Sequence, residues 1–471
     1  MKKDKIDLSS KATLVEQIIG FIMNDLKTAS PGDKILPERA LAEKYDVSRK
    51  TAKGAVTRLT EQGLLERRVG KGTFVSDKIR NIKESIVKQL IYSDDFPHKV
   101  MTEVIADINT EQELVVPSFF FGDYRVFDIY EESIQKMVTS GEKLDIVALD
   151  EGMLPILAKD KLIAPLDDLL AHSLTLNTEM FHPAVLKSFS YKNRLYGIPQ
   201  TFSTYALFYN KTLFKKSGIN LPDSSWNWDN LIDAAEQMTV VDHENGQHKS
   251  FGLGIFHLNP NILSLFIYQN FAPEIDINSI NVFEQPETLE VIEKIYDLLH
   301  IKDICSPFHN NHLMTPAKTF AAGTVAMFIG SFQDYSELLN DPECECEWGI
   351  IELPHQKRQC NSLQVQGWGI CSHSTCKDKA FTVIEQLLAE QRTKKIATDV
   401  RRIPAIYGHK NEQLPRAFIN FLNYLSDSMY GQTPTIAKKK AYRKEICLFL
   451  NKFNSPKDFC RKMAKYKKNN H

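Results

Sequence analysis

Residues 48 to 53 read Ser-Arg-Lys-Thr-Ala-Lys, so Ser48, Arg49, Lys50, Thr51 and Lys53 set five hydrogen-bond donors, three of them cationic, into six positions. Arginine or lysine at the start of a helix can pair with guanine acceptors, while serine and threonine hydroxyls donate to phosphate oxygens. A second set follows, where Arg67, Arg68 and Lys71 surround the turn Val69-Gly70-Lys71-Gly72. Any one of these side chains alone reads as a solvated surface group, and Gly-Lys-Gly alone as an ordinary turn. Together they form two short basic features suited to a polyanion.

These groups need elements to present them. Leu14, Ile18, Ile22 and Leu26 recur every fourth residue, which predicts a helix from about residue 12 to 28, ended by Pro31-Gly32. Glu38 to Tyr45 predicts a short second helix with Leu41, Ala42 and Tyr45 inward; Asp46-Val47 makes a turn, and Ser48 is a good N-cap for a third. In that helix Ala52, Val56 and Leu59 face inward, leaving Arg49, Lys50, Lys53 and Thr57 outward. After Gly63 the alternation in LLERRVGKGTFV predicts two strands joined at residues 69–72, a hairpin small enough to enter or flank a minor groove.

The segment from 10 to 76 resembles the winged helix-turn-helix of the GntR family of bacterial transcription regulators. The motifs are Pro31-Gly32-Asp33, Glu38-Arg39-Ala40-Leu41-Ala42, Ser48-Arg49-Lys50-Thr51, Gly63-Leu64 and Gly70-Lys71-Gly72-Thr73-Phe74-Val75. The resemblance implies that Arg39, Arg49 and Gly70 occupy DNA-contact positions. Lys53 stands where the family commonly has arginine, and lysine lacks the planar fork of a bidentate contact. Pro37 replaces the usual small hydroxyl residue before Glu-Arg, a departure expected to shift the helix start slightly.

At 471 residues the chain exceeds one ordinary core. Its formal net charge of -1 conceals a division. Residues 1–80 carry 17 basic against 11 acidic groups and residues 431–471 carry 12 against 2, so the middle is strongly acidic. The basic C-terminal stretch reads as a solvated helical face or a second contact. The N-terminus lacks a signal-peptide core and a membrane span, which predicts a cytoplasmic protein. All eight cysteines lie at or beyond Cys305, unlike a secreted disulfide scaffold. Cys371, His373 and Cys376 lack paired CxxC spacing, so no metal and no cofactor is expected. HExxH, GxSxG, GxxxxGK[ST] and a GxGxxG after the first strand are absent, which argues against an enzyme.

From about Lys83 short apolar strands alternate with helical segments, as in α/β units around a mainly parallel sheet. SIVKQLIYS, LVVPSFFF and DIVALD read as strands, with helices over 98–109 and 126–140. Ligands in such sheets bind at the carboxyl ends of strands, which makes Ser93, Asp94, Asp150 and Glu151 a candidate rim. Each has a plainer reading as a loop residue or helix cap.

Four blocks resemble the extracytoplasmic solute-binding proteins of family 1, the sugar receptors of ABC transporters. They are Asp145-Ile146-Val147 with Leu162-Ile163-Ala164-Pro165-Leu166; Tyr196-Gly197-Ile198-Pro199 with Tyr209-Asn210-Lys211; Phe320 to Met327 with Gly330; and Gly367-Trp368-Gly369-Ile370 through Ile403-Pro404-Ala405. The resemblance implies two α/β lobes with crossings near Pro199, Gln364 and Pro404, and a solute held in the cleft. It places Ser203, Thr204, Tyr205, His257, Asn259, Phe332 and Trp368 facing that cleft. Phe332 replaces a tryptophan found there in some relatives. Tyr205, Phe332 and Trp368 can equally be core aromatics, and Trp226 and Trp228 read as packing residues.

The expected fold class is therefore α/β: a winged helix-turn-helix at 1–78, a linker at 79–84 and a two-lobed, periplasmic-binding-protein-like (type II) domain at 85–471. Lobe 1 is expected over 85–198 and 364–404, and lobe 2 over 199–363 and 405–471. The expected partners are double-stranded operator DNA, bound as a homodimer, and a carbohydrate effector. The alternative is a receptor delivering solute to a permease.

Overall fold

The computed structural model describes residues 14–26, 29–61, 63–76, 87, 89–92, 96, 98–111, 116, 118–121, 134, 144–241, 248–254, 260–272, 274–275, 280–306, 315–344, 346–424 and 444–468.

Three helices, α1 (Leu14–Leu26), α2 (Glu38–Tyr45) and α3 (Arg49–Glu61), precede a hairpin of β1 (Leu65–Arg68) and β2 (Gly72–Val75). Ile18, Ile22 and Leu26 of α1 meet Leu41 and Tyr45 of α2 and Ala52, Ala55, Val56 and Leu59 of α3 in one small core, which Leu65 and Val75 extend to the hairpin's base. Leu14, at the end of the α1 stripe, stays exposed. The segment before α2 joins the hairpin as a third strand: Lys34 pairs with Phe74, Ile35 N–H donates to Thr73 C=O (3.1 Å), and Val75 N–H to Asp33 C=O (2.8 Å). Helix α2 begins at Glu38 without a side-chain cap, since Pro37 has no hydroxyl to offer.

The remainder forms two lobes, each around its own sheet. Lobe 1 holds β3 (Gln89–Tyr92), α4 (His98–Glu111), β4 (Ser118–Phe121), β5 (Ile146–Asp150) and β6 (Ile198–Ser203). Lobe 2 begins at β7 (Tyr205–Asn210) and continues through α5 (Trp228–Met238), β8 (Val240–Val241), β9 (His248–Gly254), β10 (Val325–Ser331), α6 (Phe332–Leu339) and β11 (Trp348–Ile351). The chain then returns to lobe 1 as β12 (Gln364–Ile370), α7 (Lys377–Leu387), α8 (Glu390–Asp399) and β13 (Ile403–Pro404), and ends in lobe 2 with α9 (Pro456–Lys468). The sheet orders are β13-β6-β12-β5-β3-β4 and β8-β9-β10-β7-β11.

The helix expected over 126–140 lies outside the described residues apart from Ile134. The expected mainly parallel sheet is mixed. Strand β3 runs parallel to β4 and β5, but β12 is antiparallel to β5 and β6. The reason is topological: β6 runs up to the lobe boundary, whereas β12 comes back from lobe 2 and runs away from it. The boundary itself falls at 203–205, because all of β6 belongs to the lobe 1 sheet.

Strand β7 shows how lobe 2 buries two faces. Tyr205, Leu207 and Tyr209 enter the core with α5 and α9, while Ala206 and Phe208 face the core that continues toward lobe 1. Trp228, at the start of α5, packs edge-on against Phe266 and donates its indole N–H to Gln269 Oε1 at 2.6 Å. Trp226 packs against the same core. No helix among the described residues is long and apolar enough to cross a membrane.

Candidate DNA interface and ligand cleft

Helix α3 is capped by Ser48, whose Oγ accepts the Thr51 N–H at 3.1 Å. The two hydroxyls also bond each other at 2.7 Å, which occupies one O–H and leaves the other free to donate outward. Arg49, Lys50 and Lys53 are exposed and have no ion-pair partner among the described residues. Three cations thus stand bare on the first turns of α3, where the helix dipole also favours a phosphate. Arg39, on α2, makes an exposed pair with Glu43 at 3.1 Å. Such a pair is worth well under about 1 kcal/mol and would yield to a phosphate.

The wing turn closes with Lys71 N–H donating to Arg68 C=O at 2.9 Å, and Gly70 (φ 69°) and Gly72 (φ 114°) take left-handed backbone that other residues avoid. Lys71 projects at the exposed tip. Arg68 lies over the Phe74 ring (4.8 Å to the centroid), with Lys34 Nζ also over that ring at 5.8 Å, and Arg68 pairs with Glu66 at 3.3 Å. Arg67 differs from the expectation that it simply adds charge: its Nη2 donates to both Glu38 Oε1 (3.0 Å) and Thr57 Oγ1 (2.8 Å). Sequence reasoning missed Lys34, although its place just after Pro-Gly-Asp was the available signal.

In the larger domain, the carboxyl ends of β5 and β6 and the start of β12 share one edge of the lobe 1 sheet, since Gln366 pairs with both Asp150 and Thr201 and Gln364 with Ser203. The matching edge of lobe 2 carries the start of β7 and the end of β10, with Ser331 opposite Tyr205. Ser203, Thr204, Tyr205 and Phe332 therefore come together at the lobe boundary, with Asp150 and Glu151 further along the lobe 1 edge.

Several of these groups have structural partners. Asp150 Oδ1 accepts the N–H groups of Gly152 and Met153 (2.8 and 2.7 Å), which is the cap reading. Glu151 Oε2 accepts the Val365 N–H at 2.8 Å and so holds the start of β12. Thr204 Oγ1 donates to Phe418 C=O (2.9 Å), and Tyr205 OH accepts from Gln364 Nε2 (2.9 Å). Ser203 Oγ is enclosed with no hydrogen-bond partner among the described residues. Phe332 is half-buried, edge-on to Phe418. Ser93, Asp94, His257 and Asn259 lie outside the described residues.

Trp368 is a correction. It is fully buried, stacks on Phe96 at 4.4 Å and donates its indole N–H to Gln200 Oε1 at 2.8 Å. Gln200 in turn donates to Thr393 Oγ1 at 3.0 Å, in the helical layer of lobe 1. The ring is a core residue because it is wholly enclosed and its one polar atom is already engaged.

Sequence reasoning also missed the contacts that bind the lobes. Asn361 Oδ1 accepts the Tyr205 N–H (3.2 Å) and its Nδ2 donates to the Tyr205 C=O (2.7 Å). Arg401 of lobe 1 pairs at 3.5 Å with Glu337 on α6, whose other carboxylate oxygen accepts from Thr315 Oγ1. The cysteine set considered for a metal is otherwise occupied: Cys376 Sγ donates to Asp145 Oδ1 at 3.3 Å, and burial, with Asp145 adding, pushes the Cys371 thiol up to about 12.

Comparison with known proteins matches both parts. Residues 14–75 match the family described as bacterial regulatory proteins, gntR family, and residues 124–414 match bacterial extracellular solute-binding protein, in its family 8; the motif blocks resemble family 1 of the same group. Over 87 residues the chain is 38% identical to the uncharacterized HTH-type transcriptional regulator YurK of Bacillus subtilis, covering 18% of this chain and 35% of that one. Over 232 residues it is 22% identical to a putative binding protein of Brucella abortus, covering 48% of this chain and 54% of the relative. It thus spans about a third and about half of these two relatives.

Solved structures share the fold. An ABC substrate-binding protein from Listeria monocytogenes in complex with cycloalternan superposes with a TM-score of 0.62 at 17% identity, over 81% of this chain and 97% of that one. A solute-binding protein from Agrobacterium radiobacter in complex with ribitol gives 0.65 at 16%, over 82% and 98%. Maltose-bound MalE3 of T. maritima gives 0.63 at 15%, over 82% and 99%. The chain belongs to the bacterial extracellular solute-binding protein family, and it carries a GntR-family helix-turn-helix at its N-terminus.

Proposed function

We propose that this chain is a one-component transcription regulator in which a carbohydrate bound between the lobes controls affinity for operator DNA. The observation that carries the reading is the union, in one chain, of a basic reading face (Arg49, Lys50 and Lys53) with a solute-binding fold. The reading face takes DNA through α3, with Ser48, Thr51 and Arg39 on phosphates and the wing residues Arg68, Gly70, Lys71 and Gly72 at the flanking groove. A homodimer on a palindromic site follows from the need to read two half-sites. The cytoplasm is where such a protein meets its operator.

Ligands named with three fold neighbours, cycloalternan, maltose and ribitol, are all polyhydroxylated. A polyol needs polar partners for its hydroxyls and an apolar surface for its C–H face. At the boundary Ser203, whose Oγ has no partner among the described residues, and Tyr205 suit the first need, and Phe332 suits the second. Ser93, Asp94, His257 and Asn259 remain candidates from the sequence. Control follows from linkage: a ligand that prefers one lobe arrangement shifts DNA affinity only if the two arrangements differ in DNA affinity, and the coupling is reciprocal.

The test has two steps. A thermal-shift screen with mono- and oligosaccharides finds a ligand of the folded state. The affinity of the full chain for a duplex selected from random-sequence DNA is then measured with and without that sugar. A change of fivefold or more in either direction is expected; equal affinities would remove ligand control, and failure to enrich any duplex would remove the DNA reading.

A further inference from the structure

The residues of the hairpin alternate between two faces. Leu65 and Val75 lie on the face that enters the helical core, and Arg67, two residues on from Leu65 and paired with Thr73, lies on that same face. Glu66, Arg68 and Phe74 lie on the other. Arg67 therefore points back at the helices while Arg68 points away. Its Nη2 reaches the first residue of α2, Glu38 Oε1, at 3.0 Å and the middle of α3, Thr57 Oγ1, at 2.8 Å. Glu38 is itself mostly covered, its side chain 23% exposed.

We propose that Arg67 is a positioning residue that fixes the angle between the wing and the recognition helix, and that it is not itself a phosphate contact. The proposal rests on the DNA reading above. Leu65 and Val75 anchor the base of the hairpin, and the segment at 33–35 holds β2 as far as Thr73, but neither ties β1 to α3 beyond Leu65. The tip at Gly70 is five residues beyond Leu65, about 17 Å at strand rise, so small rotations about the base swing the tip widely. Arg67 is the tie on the β1 side, and its guanidinium joins β1 to both α2 and α3, the three elements that must meet the duplex together. Lysine offers no planar fork and cannot hold both partners in that geometry. Thr57 is by the same bond a support for the wing, although it lies on the outward side of α3.

Two alternatives make opposite predictions. If Arg67 were a phosphate contact held back by Glu38, removing Glu38 would free it and tighten DNA binding, and removing Arg67 would lower the salt slope by about one. If Arg67 positions the wing, Glu38→Ala weakens binding even though it removes a negative charge from the interface.

The test uses the full chain, and a duplex selected from a random-sequence pool by the wild-type protein. Arg67→Ala and Glu38→Ala are each expected to lower affinity at least tenfold with the slope of log K against log salt unchanged, and Arg67→Lys to rescue little. Hydrogen exchange on the free protein provides a readout without DNA. In Arg67→Ala the amides of 65–75 should exchange at least fivefold faster, while those of Ala52, Val56 and Leu59 keep their protection. Thr57→Val, which removes one arm of the tie and retains shape, serves if Arg67→Ala unfolds, and should speed wing exchange in the same sense. Tighter binding by Glu38→Ala, a salt slope reduced by one in Arg67→Ala, or unchanged wing exchange in the folded variants would each overturn the proposal. Failure of the wild type to enrich any duplex would instead overturn the DNA reading, and the exchange result would still decide the tie.

Discussion

The side-chain amide of Asn361 grips the backbone of Tyr205 from both ends, accepting its N–H at 3.2 Å and donating to its C=O at 2.7 Å. Tyr205 begins β7 on the outward crossing, and Asn361 sits just before β12 on the return. One amide thus pins the two passages side by side, in a buried place where water cannot replace it. Asn361→Ala leaves both backbone groups without that partner and is expected to cost about 2 kcal/mol or more. Urea unfolding followed by the two-lobed domain's tryptophan fluorescence measures it, and a loss below a few tenths of a kcal/mol would contradict the assignment.

Trp368 and Phe332 should separate cleanly. Trp368→Ala empties a fully buried site and is expected to destabilise the domain by about 3–5 kcal/mol. Trp368→Phe keeps most of the packing but removes the partner of Gln200 Oε1, for a loss of about 1–3 kcal/mol. Phe332→Ala, at the half-buried boundary, should cost less than either and weaken the sugar found by thermal shift. Denaturation and ligand titration on the three variants decide the ranking.

The carboxyl of Asp334 accepts the N–H and Oγ–H of Ser331 (2.7 and 2.9 Å) at the start of α6. Enclosure pushes it up to about 6; the Ser331 bonds pull it back, and Glu337 pushes it further up. Its native value lies above the ordinary 3.8, so the folded state holds the extra proton between about pH 4 and 6. The stability it contributes is full below about pH 4, is lost as pH rises through 6, and stays lost above. Asp334→Asn keeps an acceptor but does not titrate. Melting temperatures should therefore rise for the variant relative to wild type as pH climbs from 4 to 7; a constant difference would show that Asp334 ionises freely.

Arg49→Ala is expected to weaken the selected duplex by about 1–3 kcal/mol with loss of discrimination between sequences. Lys71→Ala should weaken all sequences alike and lower the salt slope by about one. Filter binding at four salt concentrations, on selected and scrambled duplexes, distinguishes the two. If neither change alters binding, α3 and the wing do not contact DNA as proposed.

The helix-turn-helix was legible because its signals are local. Ile18, Ile22 and Leu26 recur at helical spacing, Ser48 sits one residue before α3, and Gly70 marks the turn. The lobes were legible as ordered blocks, but the role of Trp368 was not. Strand β12 is buried from Val365 to Ile370, so no polar alternation tells which side faces a cleft. The Asn361–Tyr205 clasp joins residues 156 apart, and no local pattern announces it. Glu151 likewise reads as a rim carboxylate until Val365 is seen beside it.

Each lobe is assembled from stretches of chain that flank the other: lobe 1 needs β12 and β13, and lobe 2 needs α9. Among the described residues, the core of the helix-turn-helix draws on none beyond residue 76. During synthesis it can fold as soon as it clears the ribosome, whereas the two-lobed domain must await nearly 400 further residues, on the order of half a minute at ordinary elongation rates. Under the proposed function, a nascent or prematurely terminated chain is a DNA reader with no governor, so quality control of unfinished chains matters more for this arrangement than for one with the ligand-binding domain first.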